Sequence, residues 1–233
     1  MDRTDRIEAA LVPPQKIPGR IGRPPLERAG EVEERILAAA RRVFLEHGFE
    51  GASMDLIAQT ARSGKPTIYS RYSNKQALFA AAVEHGIDIK NARLRGFKPE
   101  GSTLEQRLAS IGAAMLRETL TPEFIGIYRV VLGEARRFPE LVDGLSQMAR
   151  RRGQETLAEL LTEVAQCGEF GGQARFDDRH PAATRIFADL ILLPLMMRAL
   201  SGESLEALYQ EIEAHVAERS AFFLAAWRNG GIA

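Results

Sequence analysis

The sequence has little that would support a secreted or membrane-spanning protein. Its 233 residues include one cysteine, Cys167, so an internal disulfide is excluded. The longest apolar run, residues 190–197, is interrupted by a proline, whereas a membrane-spanning helix needs about 20 apolar residues. The first 30 residues lack the continuous apolar core of a signal peptide. We therefore expect a cytoplasmic protein without a transmembrane helix and without contact with a membrane.

The chain also has no net charge, because 31 Lys and Arg residues balance 31 Asp and Glu residues. The distribution is uneven, however. Residues 1–80 hold 13 basic and 10 acidic side chains, and residues 81–233 hold 18 and 21. The segment 62–75 contains four basic residues and no acidic one. The zero balance therefore does not exclude a nucleic-acid partner.

Residues of the kinds found in metal sites and catalytic sets do not occur at the spacings that such sites need. None of the four histidines lies three to five residues from another histidine or from the cysteine, so we expect no metal site. Residues 63–67 superficially resemble a nucleotide phosphate loop. Gln59 and Pro66, however, stand where that motif needs Gly and Ser or Thr. We expect no cofactor and no catalytic residues.

Apolar residues at spacings of three and four predict an all-α protein of about nine helices. Five prolines mark residues 1–30 as a flexible arm. A helical pattern begins at Glu31 and is expected to stop at Gly48, because glycine adopts the left-handed conformation at low cost. Ser53 is predicted to cap a short second helix, and Ser73 a fourth.

Caps and prolines also mark the helices of the second half. Ser102 and Glu105 suggest a capping box, and Thr121 before Pro122 is typical of a helix start. Further helices are expected at 139–166, 181–200 and 205–227. The predicted organisation is an arm at 1–30, a small helical domain at 31–80 and a larger helical domain at 81–233.

The basic segment 62–75 follows a tight joint between two short helices, which is the signature of a helix-turn-helix. Its basic side chains can neutralise phosphates, and its interleaved hydroxyls and amides can form hydrogen bonds with phosphates and base edges. A short helix of this composition suits the major groove of DNA.

The stretch 35–79 resembles the DNA-binding domain of the TetR family of transcriptional regulators. The residues that carry the resemblance are Ile36, Leu37, Ala39, Ala40, Phe44, Glu46 and Gly48, then Ser53, Ile57 and Ala58, then Lys65, Thr67, Ile68 and Tyr69, and finally Lys75, Ala77, Leu78 and Phe79. Beyond this stretch the resemblance concerns only the general helical layout.

The resemblance implies which residues contact DNA. The major groove and its flanking phosphates would be contacted by Lys65, Pro66, Thr67, Tyr69 and Ser70, and further phosphates by Ser53, Arg62, Arg71 and Lys75. Arg62 stands where the family commonly has a glycine with positive φ, a conformation that costs a non-glycine residue about 1 kcal/mol. Gly64 offers an alternative position for the turn one or two residues later.

The arm contains Arg20 and Arg23 in a sequence that resembles the core of an AT-hook. Arginines of such arms enter narrow minor grooves. A solvated linker without DNA contacts is the alternative interpretation.

The resemblance also implies a small-molecule cavity in the second domain. Flexible and aromatic side chains favour an apolar or aromatic ligand, and the candidate lining residues are Met115, Phe124, Tyr128, Leu132 and Met148. Of the polar neighbours Tyr128 and Arg129, only one can face the cavity, and we expect Tyr128.

By the same resemblance, helices 182–200 and 205–227 pair with those of a second copy, and the homodimer reads a palindromic operator. The function implied is that of a repressor released from double-stranded DNA by a small effector. Two alternatives stay open, an orphan or activating regulator without a ligand and a helical enzyme.

Overall fold

The computed structural model describes residues 26–166 and 181–231, so the expectations for Arg20 and Arg23 lie outside the described residues, as does Cys167. Within these ranges the chain folds into nine helices, and the all-α prediction is confirmed. None of the described helices is long and apolar enough to cross a membrane. The helices are α1 (Leu26–Gly51), α2 (Met54–Thr60), α3 (Lys65–Tyr69), α4 (Lys75–Arg95), α5 (Leu104–Thr119), α6 (Pro122–Gly133), α7 (Pro139–Gln166), α8 (Pro181–Leu200) and α9 (Leu205–Arg228).

Helix α1 is longer at both ends than its periodicity predicts. It begins at Leu26 rather than Glu31, because no proline follows Pro25 before the helix ends. Gly48 has a φ of 67° and interrupts the helical geometry, as expected, but a last helical turn follows to Gly51. The buried face of α1 contains Ile36, Ala39, Ala40, Val43 and Phe44.

Two helix starts lie one residue later than predicted. Helix α4 is capped by Asn74, whose Oδ1 accepts a hydrogen bond of 2.8 Å from the Ala77 amide, and not by Ser73. Helix α5 has its capping box at Thr103 and Gln106 rather than at Ser102 and Glu105. Serine, threonine and asparagine are all good caps, so adjacent candidates are not ranked by residue type. The cap at Thr121 is confirmed.

Two apolar cores divide the described part of the chain, and α4 contributes to both. The N-terminal core gathers α1 to α3 and the first half of α4, together with Ile127 and Val131 of α6 and Val142 and Leu145 of α7. The C-terminal core gathers α5, α8, α9 and the end of α7, and α4 reaches it through Leu94. The proposed boundary at residue 80 falls inside α4, so a continuous helix connects the two domains.

Aromatic rings reinforce the small domain and its contact with the start of α7. Phe44 and Phe79 pack edge to face with ring centroids 4.8 Å apart. Phe49 packs in the same way on Phe138, which immediately precedes α7, at 5.4 Å. Such pairs contribute about 1 kcal/mol beyond their burial. The start of α7 is therefore fixed to the small domain.

Candidate DNA interface and ligand cavity

The turn between α2 and α3 forms at Arg62. Arg62 has a φ of 48° and is the one non-glycine residue with positive φ among the described residues. The amides of Arg62 and Ser63 donate to the carbonyls of Gln59 and Ala58, at 3.1 and 3.0 Å. Gly64 instead has an ordinary φ of −67° and precedes α3 as its N-cap. The turn therefore uses the position where a glycine was expected, and the alternative at Gly64 is not adopted.

Helix α3 presents most of its predicted DNA-contacting residues to solvent. Lys65, Pro66, Tyr69 and Ser70 are exposed, and Thr67 is partly buried. Tyr69 keeps 50% of its surface exposed, which is unusual for an aromatic side chain in a packed domain. Residues 62–75, with α3, form a hairpin with α2. Its opposite side is anchored by Ile68 and Tyr72, which are both buried. The hairpin thus has one packed face and one open face.

The hairpin begins at a capped helix and is held at its other end by α1. Ser53 caps α2, and its Oγ accepts a hydrogen bond of 3.1 Å from the Leu56 amide. The hydroxyl of Tyr72 donates to Glu33 on α1 at 3.1 Å. Burial, this hydrogen bond and the Glu33 charge raise the pKa of Tyr72 to about 12, so the phenol stays protonated and holds the hairpin against α1.

The basic side chains of the hairpin have different surroundings. Lys65 Nζ lies 2.7 Å from Asp55 Oδ2, with both side chains more than half exposed. Arg71 Nη1 lies 3.3 Å from Glu33 Oε2. Exposed pairs of this kind contribute only about 0–1 kcal/mol, so a phosphate can replace the carboxylate.

Lys75 has a structural role that sequence reasoning missed. Its Nζ donates to the carbonyls of Phe49, Glu50 and Ala52, at 2.8, 3.3 and 3.0 Å, and lies 4.6 Å from the centroid of the Phe49 ring. An ammonium has three donors, and all three are used here. A phosphate contact by Lys75 would require one of these hydrogen bonds to be replaced.

A cavity of about 150 Å³ lies where α1, α4, α5, α6 and α7 meet. Phe124 and Tyr128 line it, with ring centroids 6.1 Å apart and planes nearly parallel. Arg129 points away and donates to the Ala199 carbonyl at the end of α8, at 2.6 Å. Of the two polar neighbours, Tyr128 is the one that lines the cavity.

The other three candidate lining residues lie elsewhere. Met115 is buried within the C-terminal core, Met148 packs on the N-terminal core, and Leu132 is exposed. None of these three residues belongs to the cavity wall. Helical periodicity indicates that a residue is buried, but not which neighbouring helix it faces.

Five charged residues in the cavity wall were not predicted as site residues. They are Arg41, Lys90, Arg93, Glu118 and Glu123. One signal was present in the sequence for Lys90, which follows the buried residues Val83 and Ile87 on α4 at spacings of seven and three. Burial lowers the pKa of Lys90 to about 8, and the Glu118 charge opposes this shift.

Two family models match the chain. One describes bacterial regulatory proteins of the tetR family and matches residues 36–82. The other describes the C-terminal domain of AefR-like transcriptional repressors and matches residues 106–229. The chain belongs to the TetR family. It is therefore a DNA-binding transcriptional regulator with a helix-turn-helix, from a family that is not enzymatic.

Relatives of this TetR-family chain are similar over most of its length. The HTH-type regulator Rv1556 of Mycobacterium tuberculosis is 29% identical over 146 residues, which are 63% of this chain and 69% of that protein. A TetR-family regulator structure from Mesorhizobium loti matches with a TM-score of 0.69 and 22% identity, over 85% of this chain and 98% of that one. The flavonoid-responsive regulator FrrA matches with a TM-score of 0.58 and 28% identity, over 84% and 97%.

Proposed function

We propose that this protein is a repressor that binds a palindromic operator as a homodimer and leaves it when a small apolar or aromatic effector fills the cavity. The position of the cavity carries the proposal. Its wall includes Arg41 of α1, which belongs to the DNA-binding domain, and α4, α6 and α7 of the larger domain. The match of residues 106–229 to a repressor's C-terminal domain supports it, as does the similarity to a flavonoid-responsive regulator.

A chain of polar contacts beside the cavity ties α1 to α4 and α6. We call it the Arg41 network, and its members are Arg41, Glu123, His85 and Glu34. Arg41 Nε donates to Glu123 Oε1 at 3.0 Å and its Nη1 contacts His85 Nδ1 at 2.6 Å. Because arginine has only donors, Nδ1 accepts, and Nε2 of the same ring donates to Glu34 Oε2 at 2.8 Å.

The Arg41 network gives an effector a way to alter DNA binding. A ligand shifts a conformational equilibrium only if it interacts differently with the two states. Arg41 and Glu123 both line the cavity, so an occupant contacts the groups that hold α1 against α6. We propose that occupancy changes this contact, and that the DNA-binding domains then no longer match the spacing of two successive major grooves.

The DNA-binding part of the proposal is tested by selecting bound sequences from a random DNA pool. We expect the wild type to enrich a palindrome, and the double variant Lys65→Ala with Tyr69→Ala to enrich none, because both residues are exposed on α3. Gln76→Ala serves as the control, since this residue lies on α4 outside the predicted contact set. Selection by the wild type of no sequence at low salt would exclude the proposed operator.

Two apolar helices favour dimerisation. Leu193 and Met197 on α8 keep 45% and 56% of their surface exposed, and Phe222 on α9 keeps 63%. Large apolar side chains gathered on neighbouring helices are typical of protein interfaces, and α8 packs along α9. We propose that this face pairs with the same face of a second copy.

The dimer is tested by sedimentation velocity at micromolar concentration. We expect Leu193→Glu to be monomeric and to lose operator binding, because one α3 alone contacts only a half-site. Leu132→Glu is a matched control, since Leu132 has the same exposure of 45% but lies on α6. A wild type that sediments as a monomer, or an equal effect of both substitutions, would contradict the proposed interface.

The effector response is tested by blocking the cavity. Ala149 and Ala158 both lie partly buried on α7, but only Ala149 lines the cavity. Release from the selected operator is measured by fluorescence anisotropy. We expect aromatic compounds to release the wild type and the Ala158→Phe variant. The Ala149→Phe variant should stay bound, because its new side chain fills the cavity.

The repressor assignment is tested with a reporter gene whose promoter carries the selected palindrome. We expect expression to fall when the protein is present and to return when the effector is added. Increased expression in the presence of the protein would instead support the activating alternative.

A further inference from the structure

Lys90 stands out among the charged residues of the cavity wall. Its Nζ lies 4.6 Å from the centroid of the Phe124 ring. Within the described part of the chain, it has no carboxylate within 4.0 Å and no hydrogen-bond acceptor. A partly buried ammonium is normally paired. The face of one aromatic ring is a weaker partner than an anion.

The acidic residues of the wall already have partners. Glu118 of α5 lies 3.3 Å from Arg93 Nη1, and Glu123 of α6 accepts from Arg41 Nε at 3.0 Å. Helix α7 contributes only uncharged residues to the wall. Three cations therefore face two anions, and Lys90 is the cation without a direct ion pair, although the Glu118 charge acts on it.

The rest of the wall is apolar and shaped for a small flat group. Ile87, Ile127 and Val131 are buried beside the cavity, and Phe124 and Tyr128 present parallel rings. The volume of about 150 Å³ equals that of a known engineered cavity that binds benzene, about 150 Å³. The space thus fits one ring with a small substituent.

We propose that the cavity binds a small aromatic carboxylate, about the size of benzoate, with its ring between the apolar side chains and its carboxylate on the Lys90 ammonium. This inference rests on the proposed function in that it takes the cavity to be an effector site. It goes further by assigning the charge, the size and the anchoring residue of the ligand. Bound carboxylate replaces the Phe124 ring as the nearest partner of Nζ and forms a charge-assisted hydrogen bond.

The test compares benzoate, neutral benzamide and cationic benzylamine, which have nearly the same size, by isothermal titration calorimetry with the full-length protein. We expect benzoate to bind at least about tenfold more tightly than benzamide, and benzylamine not to bind, because a hydrogen bond between charged groups strengthens binding by about that factor or more. Binding of all three with similar affinity, or of none at millimolar concentration, would overturn the proposal.

Three variants test the anchoring residue. Lys90→Met is expected to weaken benzoate binding at least about tenfold and to leave benzamide within about threefold, whereas Lys90→Arg retains the preference for benzoate. Lys98→Met, the same change at a residue that is 78% exposed and outside the cavity, leaves both affinities unchanged. Equal loss of both ligands in Lys90→Met would indicate a packing role and would refute the anchor.

The operator-release assay separates this inference from the proposed function. Release by benzamide as effective as release by benzoate would refute the anionic ligand and leave the effector response intact. Benzoate binding that depends on Lys90 but does not release the operator would uphold the ligand and refute the effector role.

Discussion

Arg62 allows the strain of the helix-turn-helix to be measured apart from its charge. Its φ of 48° places a non-glycine residue in the left-handed region, and its side chain is exposed. Arg62→Gly and Arg62→Ala both remove the guanidinium, but only glycine removes the backbone strain. The difference in unfolding free energy between the two variants therefore reports the cost of the turn.

The magnitude follows from two opposing contributions. The left-handed conformation costs a residue with a Cβ about 1–2 kcal/mol, and glycine loses about 0.5–1 kcal/mol more backbone entropy on folding than alanine. We therefore expect Arg62→Gly to be more stable than Arg62→Ala by roughly 0.5–1 kcal/mol, which corresponds to about 1–4 °C in Tm for a protein of this size. At Arg150, exposed on α7, the same pair of substitutions should give the opposite order, because alanine is favoured over glycine in a helix.

Urea unfolding followed by circular dichroism measures the stability difference, and operator titrations at several salt concentrations measure the charge effect. If Arg62 contacts a phosphate, both variants lower the slope of log K against log salt by about one. Alanine at least as stable as glycine at residue 62 would refute the strain argument. An unchanged salt slope would remove Arg62 from the phosphate contacts.

Three further substitutions test the packing of the larger domain by urea unfolding. Asn91 is 1% exposed, and both polar atoms of its amide lack partners among the described residues. Asn91→Leu should therefore raise the unfolding free energy by about 1 kcal/mol. A loss of stability would indicate an undetected partner. Gly101 has a φ of 126°, and an added Cβ would lie 2.5 Å from Gln106 Cβ, so Gly101→Ala should cost about 2 kcal/mol; near-neutral behaviour would contradict it. The pKa of Lys90 is lowered to about 8 in the folded state from 10.5, so Lys90→Met should be more stable than the wild type at pH 7. The stability advantage of Lys90→Met should shrink as pH rises from 8 to 10.5, because folded Lys90 is neutral there while unfolded lysine is still charged. A difference in unfolding free energy that stays constant across this range would refute the burial of the charge.

The helix-turn-helix could be predicted because its geometry is determined locally. The family resemblance implies a positive φ at Arg62, with a turn at Gly64 as the alternative, and the structure has the positive φ at Arg62. Capping residues were predicted less well. Ser73 and Asn74 are adjacent and equally suited to cap α4, so residue type alone does not choose between them.

The cavity could be predicted only in part, because it is formed by helices distant in sequence. Phe124 and Tyr128 were identified as aromatic residues of α6, but Leu132, one turn further on, turns out to be exposed. For Lys90, the sequence offers only its spacing from the buried residues Val83 and Ile87 on α4. Lys90 lines the cavity because α5 and α7 pack on α4 and residues of α6 complete the wall, and the spacing on α4 does not show which helices those are.

The Arg41 network is too weak to account alone for an effector response. The Arg41 side chain is 12% exposed but Glu123 is 60% exposed, so their ion pair contributes about 1 kcal/mol or less. Coupling between effector and operator sites typically amounts to about 1–3 kcal/mol. Packing also joins α1 to α6, where Leu45 approaches Gly126 so closely that a Cβ added at Gly126 would lie 2.6 Å from Leu45 Cδ2. In the proposed mechanism, an occupant that displaces Glu123 would therefore act on α1 through both the ion pair with Arg41 and the contact between Gly126 and Leu45.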